Sequence, residues 1–220
     1  MTTTNTGGAS AAIEEYLQAI YTLRDEGAQV IAARLAEFLA VTPAAVSEML
    51  HRLEYLGFVR LEGRHQVSLA SAGEKVAERI ARRHRLAERM LVDLLGYEWW
   101  KTHEEAERIE HAMSDEMEER LVRVLGDPQT CPHGNPMPGV TPRPTRTLES
   151  LRPGDAAAIE RIPDQFEHEP GFLEYLDGVG MRPGALVKLV AIRDDALRLS
   201  IDRRERDVRR DCGRKVLVRA

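Results

Sequence analysis

The sequence predicts a mainly helical protein with a small amount of β-structure, arranged in three parts. Apolar residues recur at helical spacing over most of residues 11–125, except for one short stretch in which apolar and polar residues alternate. Six prolines then crowd residues 128–144, and short apolar runs introduced by Pro-Gly turns follow. These observations predict N-terminal helices with a hairpin, a helical middle part and a small C-terminal β-barrel.

The N-terminal part begins with three predicted helices, over 11–24, 31–39 and 44–56. Thr42 is a favourable N-cap for the third helix, and Pro43 suits its first position. A tight turn joins the second and third of these helices. Two helices connected in this way predict a helix-turn-helix.

A β-hairpin is predicted directly after these helices. Residues 57–61 and 66–69 alternate apolar with polar side chains around residues 62–65. A helix-turn-helix followed by a hairpin is the order of a winged helix, which binds DNA. The alternative is an ordinary αα-corner with a hairpin, because Ala40 stands where such turns often have glycine.

The middle part is predicted to hold three helices. Ser71 and Glu74 form a capping box at the start of the first, which runs to Leu95. The second begins near Thr102 and continues past Met113, and the third covers 115–125. Trp99 and Trp100, before the second helix, are more typical of packing than of cofactor binding.

Changes in composition predict the domain boundaries. Residues 1–10 are rich in Thr, Gly and Asn and are expected to be a disordered leader. The winged helix then covers 11–72, the helical domain 73–126, an irregular and unpacked proline-rich connector 127–147, and the barrel 148–220. Within the barrel, strands are predicted at 156–162, 186–192, 197–201 and 216–218, with a helical turn or two near 172–176.

Composition excludes several classes of protein. A net charge of -5 argues against a protein that binds nucleic acid non-specifically through a large basic surface. Specific binding of DNA through one small structural element remains compatible with this charge. Cys131 and Cys212 are far apart and predict free thiols rather than a disulfide or a thiolate zinc site. No apolar run is long enough to span a membrane, so we expect a cytoplasmic protein.

Histidines and glutamates in the middle part predict a metal site. Offsets of 0, 4, 7 and 8 residues fall on one side of an α-helix. Imidazole and carboxylate ligands suit a divalent first-row ion such as Mn²⁺ or Fe²⁺. The alternative is a solvated acidic face, which is common on glutamate-rich helices. The candidate ligands are His84 and Glu88 in one helix, and His103, Glu107, Glu110 and His111 in the next.

Four stretches resemble the diphtheria-toxin-repressor family of iron- and manganese-dependent transcriptional regulators. They are EEYLQAIY at 14–21, RHRLAER at 83–89, HEEAERIEHAMSD at 103–115 and GNPMPG at 134–139. The resemblance covers nearly the whole chain from about Ile13. It implies that the middle domain is a dimerisation domain and that the C-terminal barrel is SH3-like, similar to ferrous-transport accessory (FeoA-like) domains.

The resemblance also implies two sets of metal ligands. The primary set corresponds here to Glu15, Glu107, Glu110 and His111. The second set corresponds to His84, Glu88 and His103, with a further ligand from the C-terminal domain, for which Glu167 and Glu169 beside His168 are the candidates. Residues 167–169 also fit a solvated loop, which the sequence alone favours.

The ligand types give an expectation for the metal. Iron sensors of the family have Met and Cys where this chain has Glu15 and Glu107, whereas manganese sensors have carboxylates at both positions. We therefore expect Mn²⁺ first, with Fe²⁺ as the alternative. Gln18 replaces another carboxylate of some manganese sensors, which argues against a closely spaced metal pair.

By this resemblance, metal is a co-repressor that fixes the two winged helices of a homodimer for binding to palindromic operator DNA. The expected DNA contacts lie on the third helix and the wing, at Thr42, Ala44, Ala45, Ser47, Glu48, His51, Arg52 and Arg64.

The main rival hypothesis is a carboxylate-bridged metalloenzyme of the helical-bundle type. Such enzymes use Glu-x-x-His, but Arg108 precedes His111 by three residues and Ala81 precedes His84. No other enzyme motif is apparent. A metal-transport accessory protein is a third hypothesis, which rests only on the C-terminal barrel.

Overall fold

The computed structural model of the protein describes residues 7–62 and 66–220. The chain divides into two compact units, one within Met1–His84 and Arg108–Met113 and the other within Arg85–Glu107 and Ser114–Ala220. Among the described residues, no helix is both long and apolar enough to cross a membrane. Of the predicted leader, residues 1–6 lie outside the described residues, whereas residues 7–10 already belong to the first helix.

The first unit contains the winged helix that the sequence predicts. Helices α1 (Gly7–Asp25), α2 (Ala32–Phe38) and α3 (Pro43–Tyr55) precede the antiparallel hairpin of β1 (Val59–Glu62) and β2 (Gln66–Leu69). Their apolar faces form one core, with Leu17, Leu35, Val46 and Leu53 fully buried. Ala40 adopts a positive φ of 52° between α2 and α3, the conformation for which such turns often use glycine.

Three further helices follow: α4 (Ser71–Arg89), α5 (Thr102–Glu110) and α6 (Asp115–Leu125). A π-helical turn, Met90–Leu94, continues α4. Ser114 caps α6 by accepting from the N–H of Met117, and Gly126 ends it with a left-handed conformation, both as their residue types favour. The predicted capping box differs in the structure, because the Glu74 carboxylate receives two hydrogen bonds from Arg24, at 2.5 and 2.7 Å.

The second unit contains a six-stranded antiparallel sheet in the order β3-β8-β4-β5-β6-β7. Its strands are β3 (Thr145–Thr147), β4 (Ala156–Arg161), β5 (Leu186–Ile192), β6 (Ala196–Ile201), β7 (Arg204–Arg209) and β8 (Leu217–Arg219). Short helices α7 (Asp164–Glu167), α8 (Phe172–Val179) and α9 (Cys212–Lys215) accompany them. Leu148, Ile159, Phe172 and Leu197 are fully buried in the core of this barrel, which also includes Trp99.

The proline-rich segment at 127–147 ends in strand β3 and is otherwise irregular, but its centre is not the unpacked connector that the sequence predicts. Cys131, His133 and Asn135 are all buried. The Asn135 side-chain amide donates to the backbone oxygen of Ile162 at 2.8 Å and to the Glu167 carboxylate at 2.7 Å. These partners lie far along the chain, so local composition gives no sign that the segment is packed.

Candidate metal centres and DNA-reading helix

The first candidate centre gathers around the carboxylate of Glu110, the last residue of α5. Oε2 of Glu110 lies 2.5 Å from Nδ1 of His84 on α4. Its other oxygen, Oε1, lies 3.4 Å from Nε2 of His111. Glu110 and His84 are buried, and the His111 side chain is about one quarter exposed. The first unit therefore places two imidazoles around one carboxylate.

A second carboxylate of this centre comes from α1. Oε2 of Glu14 lies 2.8 Å from Nδ1 of His111, and Oε1 of Glu14 lies 3.2 Å from Arg79. The resemblance had implied Glu15, the next residue, which is exposed. Successive residues of an α-helix point about 100° apart, so Glu14 and Glu15 face different directions. The sequence analysis did not predict Glu14 as a ligand, although the two adjacent glutamates at 14 and 15 made either residue a candidate.

The residues around Glu110 offer the types of donor atom that a divalent first-row cation prefers. Two carboxylates and two imidazoles offer hard oxygen and borderline nitrogen donors, without sulfur. A cation bound at this point would neutralise negative charge on two largely buried carboxylates, those of Glu14 and Glu110. The donor set suits Mn²⁺ and Fe²⁺ alike.

The second candidate centre lies within the second unit and is almost completely buried. Nδ1 of His133 lies 3.1 Å from Oε1 of Glu88 and 3.1 Å from Oε2 of Glu167. Donor atoms of Glu88, Cys131 and His133 all lie within 4.8 Å of one another. The sequence analysis predicted Glu88 as a metal ligand and Glu167 as a candidate ligand, but it did not predict Cys131 or His133. The close spacing of a cysteine and a histidine in the CPH triplet at 131–133 could have indicated them.

The electrostatics of this buried centre favour a positive charge. Burial lowers the pKa of His133, but the carboxylates of Glu167 and Glu88 outweigh it and raise that pKa well above its usual value. Burial, assisted by Glu88, raises the pKa of the Cys131 thiol to about 12. Among the described residues, Nδ1 of His133 and Oε2 of Glu167 are buried without a well-formed hydrogen bond. A cation bound by these atoms would satisfy both, so the residues fit a metal ion.

His103 stands beside the second centre and also faces outward. Its Nδ1 lies 3.2 Å from Oε2 of Glu167, whereas its Nε2 lies 3.1 Å from Nδ1 of His168 and 3.5 Å from Oε1 of Glu107. The other candidate ligand, Glu169, instead accepts from Nζ of Lys215 at 2.5 and 2.7 Å. Because Glu167 is buried, residues 167–169 are not simply a solvated loop.

The predicted DNA contacts occupy the exposed side of α3 and its N-cap. Val46, Leu50 and Leu53 face the core. The hydroxyl of Thr42 accepts a hydrogen bond from the N–H of Ala45 at 3.2 Å. The exposed side carries Thr42, Ala44, Ala45, Ser47, Glu48, His51 and Arg52. Arg64, the predicted contact on the wing, lies outside the described residues.

Three family models match successive parts of the chain. "Iron dependent repressor, N-terminal DNA binding domain" matches residues 9–67, and "Iron dependent repressor, metal binding and dimerisation domain" matches residues 70–139. "FeoA domain" matches residues 146–220. Together they follow the N-terminal, middle and C-terminal parts of the chain in order.

Whole-chain comparisons agree with these models. The chain is 37% identical to "Iron-dependent repressor IdeR" of Mycobacterium tuberculosis (strain ATCC 25618 / H37Rv), over 79% of this chain and 81% of that protein. It is 37% identical to "Diphtheria toxin repressor" of Corynebacterium diphtheriae, over 85% and 87% respectively. The solved structure "Manganese-dependent transcriptional repressor complex with manganese" superimposes with a TM-score of 0.84 and 32% identity, over 94% and 99% of the two chains.

Proposed function

The chain belongs to the iron-dependent repressor family of metal-dependent transcriptional repressors, and on this premise we propose that a divalent cation at Glu110 and His111 controls its binding to operator DNA. The relatives named above are repressors and not enzymes, and this chain is likewise a regulator rather than an enzyme. The metalloenzyme hypothesis is thereby set aside.

The contact between Glu14 and His111 carries this proposal. Glu14 lies on α1, which packs in the winged-helix core, whereas His111 follows the end of α5. A bound cation neutralises the carboxylates and ties these two segments together. Metal binding would therefore bias the position of the winged helix. Glu107 and Glu15 remain proposed ligands of the same centre by resemblance.

For the metal we propose Mn²⁺ first and Fe²⁺ as the alternative. The donors around Glu110 are oxygen and nitrogen only, which suits Mn²⁺, although most divalent first-row ions, including Fe²⁺, bind such donors more tightly. Relatives at similar identity are described as iron-dependent and as manganese-dependent. The concentration of each metal in the cell then decides which one is bound.

We propose a cytoplasmic homodimer that presents two copies of α3 to successive major grooves of a palindromic operator. Thr42, Ser47 and His51 on the exposed side of α3 carry the groups for contact with bases or phosphates. The middle domain supplies the dimer contact, as the description of the matching family model indicates. Repression follows where such an operator overlaps a promoter.

A selection experiment tests the proposal. A library of palindromic DNA is incubated at fixed salt with metal-free protein and with protein plus Mn²⁺ or Fe²⁺. We expect enrichment of one sequence family only with metal, and no enrichment by the Glu107→Ala or His111→Ala variants. Glu104→Ala, which alters an exposed residue of α5, is the matched control and should select the same DNA as the wild type. Equal selection without metal would contradict the proposed control.

A further inference from the structure

A cavity with a volume of about 370 Å³ opens within the second unit. Its walls come from the proline-rich segment, from β4 and the loop before β5, and from the ends of α4 and β8. Small-molecule sites in proteins have volumes of roughly 300 to 1,000 Å³. We propose that this cavity, which we call the arginine pocket, binds a small organic anion that carries two or more carboxylate or phosphate groups.

The lining of the arginine pocket is strongly basic. Its arginines are Arg89, Arg143, Arg161 and Arg219, and the one carboxylate among the described lining residues is that of Glu160. The lining thus carries a net charge of +3, in a chain whose net charge is -5. A concave surface with charge of one sign concentrates ions of the opposite sign, so the pocket attracts anions.

Two of the arginines donate hydrogen bonds mainly to neutral acceptors. Nη1 of Arg161 donates to the side-chain oxygen of Asn135 at 3.0 Å. Arg89 donates to the backbone oxygen of Thr130 at 2.8 Å and to its hydroxyl at 3.2 Å, and it also contacts the partly exposed Asp93 at 3.4 Å. Amide and hydroxyl oxygens orient a guanidinium without neutralising it, so its positive charge remains available to an anion.

The other two arginines already contact a carboxylate of the protein. Oε2 of Glu160 accepts from Nε of Arg219 at 2.5 Å, and its Oε1 lies 3.6 Å from Nη1 of Arg143. Both arginine side chains are more than half exposed, whereas that of Glu160 is largely buried. Guanidinium groups pair with carboxylates and phosphates in the same way. Glu160 therefore competes with an incoming anion for these two arginines.

The remaining lining favours an organic anion. Apolar side chains lie beside the arginines in the wall of the pocket, among them Val140, Pro142, Ile159 and Pro183. Binding sites for small molecules combine such apolar surface with a few polar groups that fix the orientation of the ligand. Among the described residues, Cys131 is shared with the buried metal centre, whereas the four arginines are not candidate metal ligands.

Calorimetric titration of metal-free, full-length protein tests the arginine pocket without DNA. The probes are citrate, which carries carboxylates, and fructose 1,6-bisphosphate, which carries phosphates, at constant ionic strength. Chelators are removed first by dialysis, because they are polyanions themselves. The metal-free candidate centres are rich in carboxylates, which repel both probes. The result is therefore independent of the proposed repressor function.

Three variants alter the pocket and one serves as the control. Arg161→Gln removes a charge but keeps an amide that can donate to Asn135, and Arg143→Gln removes a charge from an exposed side chain. Glu160→Gln removes the competing carboxylate. Arg146→Gln changes an exposed arginine of β3 that does not line the cavity and is the matched control. Circular dichroism checks that each variant is folded.

We expect the wild type to bind at least one of the two probes, and the probe that binds more tightly identifies carboxylate or phosphate as the preferred group. The Kd should rise about tenfold in Arg161→Gln and several-fold in Arg143→Gln, fall in Glu160→Gln and stay unchanged in Arg146→Gln. Absence of binding of either probe at millimolar concentration would overturn the proposal. Equal losses in Arg146→Gln, or no gain in Glu160→Gln, would overturn it as well, because the anion would then not occupy this pocket.

Discussion

Nδ1 of His84 lies 2.5 Å from Oε2 of Glu110, although family resemblance assigns these residues to two different metal sites. The same carboxylate also approaches His111 through its other oxygen. Glu110 therefore contacts a member of each predicted ligand set. This position makes it the residue whose charge matters most to the first centre.

Replacing Glu110 by glutamine should abolish metal-activated DNA binding. The substitution keeps the size of the side chain but removes the charge that a cation requires, and we expect at least a tenfold loss, or about 1.4 kcal/mol. Fluorescence anisotropy of labelled operator DNA during a Mn²⁺ titration measures the effect. Glu104→Gln, on the exposed side of α5, is the matched control. Activation of Glu110→Gln at wild-type metal concentrations would show that Glu110 is not a ligand.

Cys131 should provide a spectroscopic signal for the buried centre. Burial keeps its thiol protonated in the metal-free protein, with a pKa raised to about 12, so metal binding there must release a proton and form a thiolate. Substitution with Co²⁺ should therefore give a sulfur-to-metal charge-transfer band in the near ultraviolet. Cys131→Ser should remove the band.

The other cysteine supplies the control for this measurement. Cys212 is also buried, and burial likewise raises its pKa to about 12, but it lies in α9 of the barrel core. Cys212→Ser should leave the cobalt band unchanged. A band that persists in Cys131→Ser and disappears in Cys212→Ser would contradict the assignment.

Asp211 should make barrel stability depend on acid pH. Burial raises its pKa, but hydrogen bonds from Arg209 and Lys215 outweigh burial and lower the pKa to about 2. The folded-state value lies below the unfolded value of roughly 3.9, so the stabilisation is present above that pH and disappears as the pH falls towards 2. Asp211→Asn should lower Tm by a few degrees at most near pH 6, because the carboxylate is partly exposed.

Thermal unfolding of metal-free protein at several pH values checks this expectation. The Tm difference between the wild type and Asp211→Asn should shrink steadily below about pH 4. Asp194→Asn changes an exposed carboxylate outside this network and is the control. A difference that stays constant down to pH 2 would mean that the ionised Asp211 does not contribute to stability.

Arg52 should contribute to the affinity for DNA but not to the specificity for particular DNA sequences. It is exposed near the end of α3 and is expected to contact phosphate. Arg52→Ala should weaken binding to all sequences similarly and reduce the slope of log K against log salt by about 1. Arg204→Ala, on β7 of the barrel, should leave the slope unchanged. A change in sequence preference without a change in slope would instead indicate base contact by Arg52.

Local signals in the sequence predict much of the fold. Thr42 and Pro43 correctly mark the start of α3, and Gly126 marks the end of α6. Strand β7, by contrast, reads RERDVR, and only Val208 in it is buried. An edge strand with mostly exposed charged side chains lacks the apolar alternation by which strands are recognised.

The candidate centres are predicted less completely, because their geometry depends on distant parts of the chain. Helical spacing identifies His103, Glu107, Glu110 and His111 as candidates, but it does not show which partners from other elements they meet. His133 and Glu167 are 34 residues apart in the sequence and meet only after the proline-rich segment packs. No local pattern distinguishes Glu14 from Glu15, whose side chains point in different directions from the same helix.

Affinity for one selected operator, measured with and without metal, tests the central claim most directly. At fixed salt, the Kd of the wild type is compared in the presence of a chelator, of Mn²⁺ and of Fe²⁺, alongside His111→Ala and the control Glu104→Ala. We predict tight binding only with metal for the wild type and Glu104→Ala, and weak binding under all conditions for His111→Ala. Tight binding by the metal-free wild type, or full activation of His111→Ala, would contradict control of DNA binding through Glu110 and His111.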